Sequence, residues 1–462
     1  MIGAGPAGYV AGIRLAQYGK KVVMVEEASV GGVCLNRGCI PVKALLHAAG
    51  IVRNSLEARG MGIVFGQPEI DLLSLGTWQR RIVERLRRGI EFLFKTNGVE
   101  LIRGKAKLLK PKTVGVRNDN GEIKITAPKV IIATGSIPAV LPGLEPDHKR
   151  IIDSNSALNL IDLPRQIIII GAGAIGLEFA TIFQRLGSKV LVLEMCDSIL
   201  PGVDKDITNL LQRQMEREGV EFHLGVKGMS CQMSQSTAGV QVCIEGKTPL
   251  IADKILVAAG RKANTAELGL EEVGIELQET GFIKTDRSFQ TNVKGVYAIG
   301  DVRGGPMLAH KAMHEGLILS EKLAPLQNSE LRTKNHPRAI PFVVYTDPEV
   351  AIVGLTESEA KNNGMEVSIS KVPVSAVGRS LTLGRTEGLC KIIADRKTKK
   401  ILGVEIVAPQ ADALIAEATL AVELGLTAED LGKVVHPHPT MSELLWEASA
   451  AVLGKAIHIV NQ

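Results

Sequence analysis

The 462 residues are too many for one compact core and imply three or four domains. A composition that is 45% hydrophobic and 22% charged, with 48 glycines and few aromatics, excludes a disordered or fibrous chain and points to an α/β protein with many tight turns. The net charge of +5 comes from scattered basic residues. The densest run, Arg80 to Arg88 broken by Glu84, has only Trp78 and Phe92 nearby and reads as a solvated helix face, so no nucleic acid partner is expected.

No apolar run is long enough to span a bilayer and the start of the chain carries no charged leader, so no membrane partner and a cytoplasmic location are expected. Six cysteines are too few for a secreted disulfide framework. Cys196, Cys231, Cys243 and Cys390 stand alone and are expected to be inert packing; no cysteine or histidine cluster has zinc spacing, so no metal is expected.

In chain order, the first element is the turn Gly3-Ala4-Gly5-Pro6-Ala7-Gly8, followed by a helical stretch and a β-branched strand, Val22 to Val25, that ends at Glu26. This is the spacing of a dinucleotide-binding unit: one glycine for the turn, one for approach of the backbone to a pyrophosphate, and one for helix–strand packing. Only Met1 and Ile2 precede Gly3, so most of the opening strand is expected to be missing, through a late start codon or a truncated record.

Next come Cys34 and Cys39, five residues apart. In a regular helix their Cα atoms would be about 8 to 9 Å apart, beyond disulfide reach, so the segment between them is expected to be looped or distorted at Gly38. Pro41 suits the first turn of a helix through Ala44 to Leu46. Cys39 then lies near the positive helix end, where a thiolate is stabilised.

The glycine spacing returns as Gly171-Ala172-Gly173-Ala174-Ile175-Gly176, led by a full strand, Gln166 to Ile170, and followed by Val190 to Leu193 ending at Glu194. Glu26 and Glu194 each lie 23 residues after the first glycine of their motif. A carboxylate there accepts from ribose hydroxyls and repels a 2′-phosphate; with no arginine following Glu194, NAD is favoured over NADP.

With these motifs in place the chain resembles the flavoprotein disulfide reductases along essentially its whole length. The likeness is carried by GAGPAG at Gly3 to Gly8, GGVCLNRGCIPVKALL at Gly31 to Leu46, ATGSIP at Ala133 to Pro138, GAGAIGLE at Gly171 to Glu178, GRKANT at Gly260 to Thr265, YAIGDV at Tyr297 to Val302, MLAHKA at Met307 to Ala312 and HPHPTMSE at His436 to Glu443. The resemblance implies two Rossmann-like dinucleotide-binding domains, for FAD (1–143) and NAD (144–264), a central segment completing the FAD site (265–337) and an α+β dimerisation domain (338–462).

It also implies site residues. Gly3, Gly5, Gly8, Glu26, Lys43, Ala106, Thr134, Gly135, Ser136, Asp301, Leu308, Ala309 and His310 fall to FAD, and Gly171, Gly173, Gly176, Glu194 and Gly260 to NAD. Cys34 and Cys39 become the redox pair, Lys43 paired with Glu178 the cation near the flavin, and His438 with Glu443 an acid/base dyad acting across a homodimer. His436 competes with His438 and is expected to be a loop or supporting residue; the isomer of either His-Pro bond is left open. Val42 stands where a hydroxyl residue is often found, and Arg37 is one of several residues accepted in its loop. The implied reaction is oxidation of dihydrolipoyl groups, carried by a 2-oxoacid dehydrogenase complex or a glycine cleavage carrier protein, with NAD as acceptor. A glutathione reductase is disfavoured by Glu194; a mercuric reductase or large thioredoxin reductase is disfavoured by the lack of cysteine after Cys390, and a non-catalytic scaffold by the intact active-site residues.

Overall fold

The computed structural model describes residues 1–233, 239–245, 248–324 and 339–461, so the boundary expected near Pro337 and the side chain of Cys231 lie outside the described residues. The first elements are α1 (Pro6–Gln17), β1 (Val23–Glu26), α2 (Gly32–Arg37), α3 (Cys39–Glu57) and α4 (Leu72–Thr96).

Two parallel sheets share one plan. One runs Val220–His223, Lys189–Leu193, Gln166–Ile170, Lys254–Val257, Ile151–Ile152, every neighbour parallel. Its central strand is four isoleucines after Gln166, all buried, as a strand covered on both faces requires. The other places Glu100–Arg103 beside β1 and Val130–Ile132 beside Val296–Ala298. Ile2 fills the gap between these pairs, bridging Val25 and Ile132 in parallel. Its amide donates to the Ile131 carbonyl at 2.8 Å, and the Gly3 amide donates to that of Val25 at 2.8 Å. The short opening strand is therefore one bridging residue at the centre of the sheet.

The last domain is an antiparallel sheet in the order Phe342–Val344, Glu349–Gly354, Ile401–Ala408, Leu389–Asp395, Val367–Pro373. Helices Ala411–Leu424 and Glu443–Val452 cover it through Leu414, Ile415, Leu444 and Leu445, with Cys390 buried beneath them.

One apolar cluster joins the parts. Val42 and Leu45 of α3 pack with Phe179 and Phe183 of helix Ala174–Leu186 and with Val344 and Val350 of the last domain. Each such side chain removed from water contributes about 1.5–3 kcal/mol, so the cysteine helix is anchored by its neighbours as much as by its own sheet.

Two sequence expectations need correction. Cys196 is exposed rather than packed, because it follows the strand end where Glu194 turns the chain to the surface. The basic run on α4 is solvated except at Arg87, which is half-buried and donates to Asn36 Oδ1 at 3.0 and 3.3 Å.

Candidate active site

Both glycine-rich turns are built alike. Gly3 and Gly171 have φ of +97° and +105°. A Cβ on Gly8 would lie 2.0 Å from the Gly3 carbonyl oxygen, and one on Gly176 would lie 1.9 Å from that of Gly171, so each helix packs on its strand only without a side chain there. The middle glycines face space: a Cβ on Gly173 meets nothing within 4 Å, and one on Gly5 meets only the Gly32 Cα at 3.7 Å. Glu26 accepts from the amides of Ala4 at 2.7 Å and Ala28 at 2.9 Å; Glu194 accepts from Ala172 at 2.7 Å and Cys196 at 2.9 Å. Each carboxylate is held rigid at its strand end and keeps lone pairs for hydroxyl donors.

The cysteine segment is two helices, not one. Cys34 lies in α2, Gly38 breaks the helix, and Cys39 is the first residue of α3, where the Val42 amide donates to the Gly38 carbonyl at 3.0 Å. The break brings the thiols into hydrogen-bonding contact. Asn36 pins the segment, its amide donating to the carbonyls of Val30 at 2.9 Å and Gly32 at 2.8 Å, while Gln79 of α4 donates to the Pro41 carbonyl at 3.3 Å.

Charge is divided unequally between the sulfurs. The Cys34 thiol, bonded to Cys39, is raised well above its ordinary value; Cys39, accepting that bond and facing Lys43, is brought down to about 7. Lys43 sits one turn along α3 and donates to both oxygens of buried Glu178 at 2.8 and 2.9 Å. The Tyr345 ring lies 4.4 Å from the Lys43 ammonium, and the Tyr345 amide donates to Glu178 at 3.1 Å.

Beside this centre, the Ser136 hydroxyl donates to Asp301 at 2.6 Å, and Arg261 donates to the Ser136 hydroxyl at 2.8 Å and carbonyl at 2.7 Å. Strands Ser136–Pro138 and Arg261–Ala263 pair antiparallel, which brings Asn264 against Thr134 and Gly135. Gly260 precedes that strand at φ +107°. Leu308 caps helix Ala309–Leu323, and His310 in its first turn has Nε2 2.7 Å from the Pro341 carbonyl. Ala106 lies in strand Lys105–Lys110, paired with Val116, with its side chain in the core beside Val25.

The two histidines separate clearly. His436 is engaged at both nitrogens, with the Val434 carbonyl at 3.0 Å and Glu417 at 2.9 Å. His438 bonds Glu443 through Nδ1 at 2.8 Å, while Nε2 has no partner among the described residues and the side chain is 77% exposed. Burial works against the Glu443 carboxylate, but the bonds from His438 and from the Thr440 amide hold it below its ordinary range. His438–Pro439 is cis. The chain thus joins His438 to Glu443, and Lys43 to Glu178 beside the cysteines, as two separate groups. No role was expected for Tyr345, Asn36, Arg87 or Arg261, although Asn36 lies inside the GGVCLNRGCIPVKALL motif and Arg261 inside GRKANT.

A thiol pair at a helix start, beside two dinucleotide-type turns, matches what comparison finds. The model of the pyridine nucleotide-disulphide oxidoreductases matches residues 1–316, and that of their dimerisation domain matches residues 340–449. The chain belongs to this family. It is 46% identical to the dihydrolipoyl dehydrogenase of Thermus scotoductus, covering 100% of this chain and 98% of that one, and 40% identical to that of Bacillus subtilis, covering 100% and 97%. Among solved structures, the flavoprotein disulfide reductase RclA of Escherichia coli superposes with a TM-score of 0.85 at 29% identity, covering 97% of this chain and 98% of that one. FAD and NAD are the cofactors of this oxidoreductase family, and the two turns fit two dinucleotides: open space at the middle glycines for a pyrophosphate, and a fixed carboxylate for a ribose. Among the described residues, no helix is long and apolar enough to cross a membrane.

Proposed function

We propose that the chain oxidises protein-bound dihydrolipoyl groups to lipoyl with NAD⁺ as final acceptor, as a homodimer in the cytoplasm serving a 2-oxoacid dehydrogenase complex or a glycine cleavage carrier. The observation that carries this reading is geometric: Cys34 and Cys39 face each other across the helix break at Gly38, and Cys39 opens the helix that carries Lys43, paired with buried Glu178. The relatives named dihydrolipoyl dehydrogenase support the substrate.

His438 of the partner subunit takes a proton from one substrate thiol. Its free Nε2 and its exposure on a domain matched to dimerisation fit that role, and Glu443 orients the ring and stabilises the imidazolium. The substrate thiolate attacks Cys34 Sγ of the oxidised pair, and the Cys34–Cys39 bond breaks. Cys39 leaves as the thiolate, its charge favoured by the Lys43 ammonium. The second substrate thiol then attacks the substrate sulfur of the mixed disulfide. Cys34 departs with the proton returned by the imidazolium, the neutral ring so formed takes the proton of the second substrate thiol, and the substrate closes to its disulfide. FAD, when bound, supplies the two-electron carrier from the reduced pair to nicotinamide. Ser136, Asp301 and Arg261 would hold its polar chain, and the start of helix Ala309–Leu323 would offer it main-chain donors.

Cys34→Ser and Cys39→Ser should each abolish dihydrolipoamide turnover while leaving FAD bound, as read by flavin absorbance after gel filtration. Normal turnover in either variant would refute the roles assigned.

A further inference from the structure

The segment Tyr345–Asp347 of the last domain is fastened at two points to the helices that build the redox centre. At one end the Tyr345 amide donates to Glu178 and its ring covers the Lys43 ammonium at 4.4 Å. Two residues on, Asp347 accepts from Arg185 at 2.9 Å and Arg53 at 3.2 Å. Arg53 lies on α3 with Cys39 and Lys43, and Arg185 lies on the helix of Glu178. The two helices are therefore joined once directly, by Lys43 and Glu178 beneath Tyr345, and once through Asp347, so a residue of the last domain takes part in each link.

A lysine chain bearing a hydrated ammonium has many rotamers, and its field at a neighbouring sulfur is screened when water surrounds it. Here one side of the ammonium meets a buried carboxylate and another meets an aromatic face. We propose that Tyr345 is a positioning residue of the redox centre: its ring and amide fix the Lys43–Glu178 pair and keep the lysine charge directed at Cys39. Burial, together with Asp412 and Glu349, pushes the Tyr345 hydroxyl up to about 12, so the ring is neutral at working pH and its face, not its hydroxyl, meets the cation. The charged and titratable groups facing Cys39 are Cys34 from α2, Lys43 from α3, Glu178 from its helix, Arg261 from the strand beside Asp301, and Tyr345. Of these, Tyr345 alone comes from the last domain.

The inference rests on Cys39 being the thiolate of the pair, and the test separates the two claims. In FAD-loaded protein carrying Cys34→Ser, the Cys39 thiolate is titrated by its long-wavelength absorbance against the flavin. Adding Tyr345→Leu, which removes the ring but keeps the amide, should raise the midpoint by about half a pH unit, roughly a threefold loss of thiolate at fixed pH. Tyr345→Phe should leave it unchanged. A trifluorinated phenylalanine at position 345, which keeps the shape and drains the negative ring face, should raise it as leucine does even if the leucine variant fails to fold. With Lys43→Met also present, neither replacement should move the midpoint further. An unchanged midpoint with the fluorinated ring, or an equal shift without Lys43, would overturn the proposal. A Cys34→Ser parent showing no long-wavelength band at any pH would overturn the redox assignment of Cys39 itself, and the positioning role with it.

Discussion

The proposed preference for NAD over NADP rests on a single side chain, Glu194. Two backbone amides hold its carboxylate at the strand end, where a ribose hydroxyl would be accepted and a 2′-phosphate repelled. Glu194→Ala should raise KM for NAD about tenfold, the worth of a hydrogen bond to a charged group, and should narrow the preference over NADP; steady-state kinetics with both nucleotides checks this. His438→Gln should lower kcat by about 10²- to 10⁴-fold, the usual span for a general acid–base. His436→Gln, at a ring already bound on both nitrogens, should act on stability instead. Those residues were legible because motif spacing carried them. Tyr345 and Arg87 were not, because each matters through a contact with a distant part of the chain: Tyr345 with Lys43, and Arg87 with Asn36. No local pattern marks such a pair.

At the scale of elements, the glycine turns yield a matched pair of predictions. Gly176→Ala forces a methyl to within 1.9 Å of a carbonyl oxygen, so the helix must move; overpacking of this kind costs about 1–3 kcal/mol, and both thermal stability and NAD affinity should fall. Gly173→Ala meets nothing within 4 Å in the protein and should keep its melting temperature, yet it should bind NAD more weakly because the methyl occupies the pyrophosphate approach. Calorimetric melting beside NAD titration separates the two. The elements themselves were largely written in the chain: a continuous isoleucine strand before the second turn, and the need to break the helix between cysteines five apart. Ile2 stands directly ahead of the first glycine turn in the chain. How one residue could keep its place became clear only from its bridges to both neighbours.

At the scale of the molecule, buried charge docks the last domain onto the NAD-type sheet. The Lys391 ammonium, itself buried, meets Asp204 at 2.7 Å, Glu357 at 2.9 Å, Asp206 at 3.1 Å and Glu405 at 3.5 Å. Lys371 also reaches Asp206, and Lys361 reaches Glu357, so four carboxylates share three ammonium groups. The fourth, fully buried Glu405, is pushed up to about 8 by burial and by Asp204. Between its ordinary value of 4.5 and about 8 the folded protein keeps a proton that the unfolded chain has lost, so this group's contribution to stability falls as pH rises through that window. Glu405→Gln should therefore lose less melting temperature than the wild type between pH 6 and pH 9, as scanning calorimetry would show. None of this cluster was legible, since its members span residues 204 to 405 and no motif binds them together.

In the proposed reaction Cys34 and Cys39 pass electrons from a dihydrolipoyl dithiol toward NAD⁺. The direct test is anaerobic: the FAD-loaded dimer is mixed with dihydrolipoamide, its absorbance is followed, and NAD⁺ is then added. The account predicts a long-wavelength thiolate band on reduction, then stoichiometric NADH, with NADP⁺ a poor substitute. A loaded dimer that NADPH reduces but dihydrolipoamide leaves oxidised would contradict it.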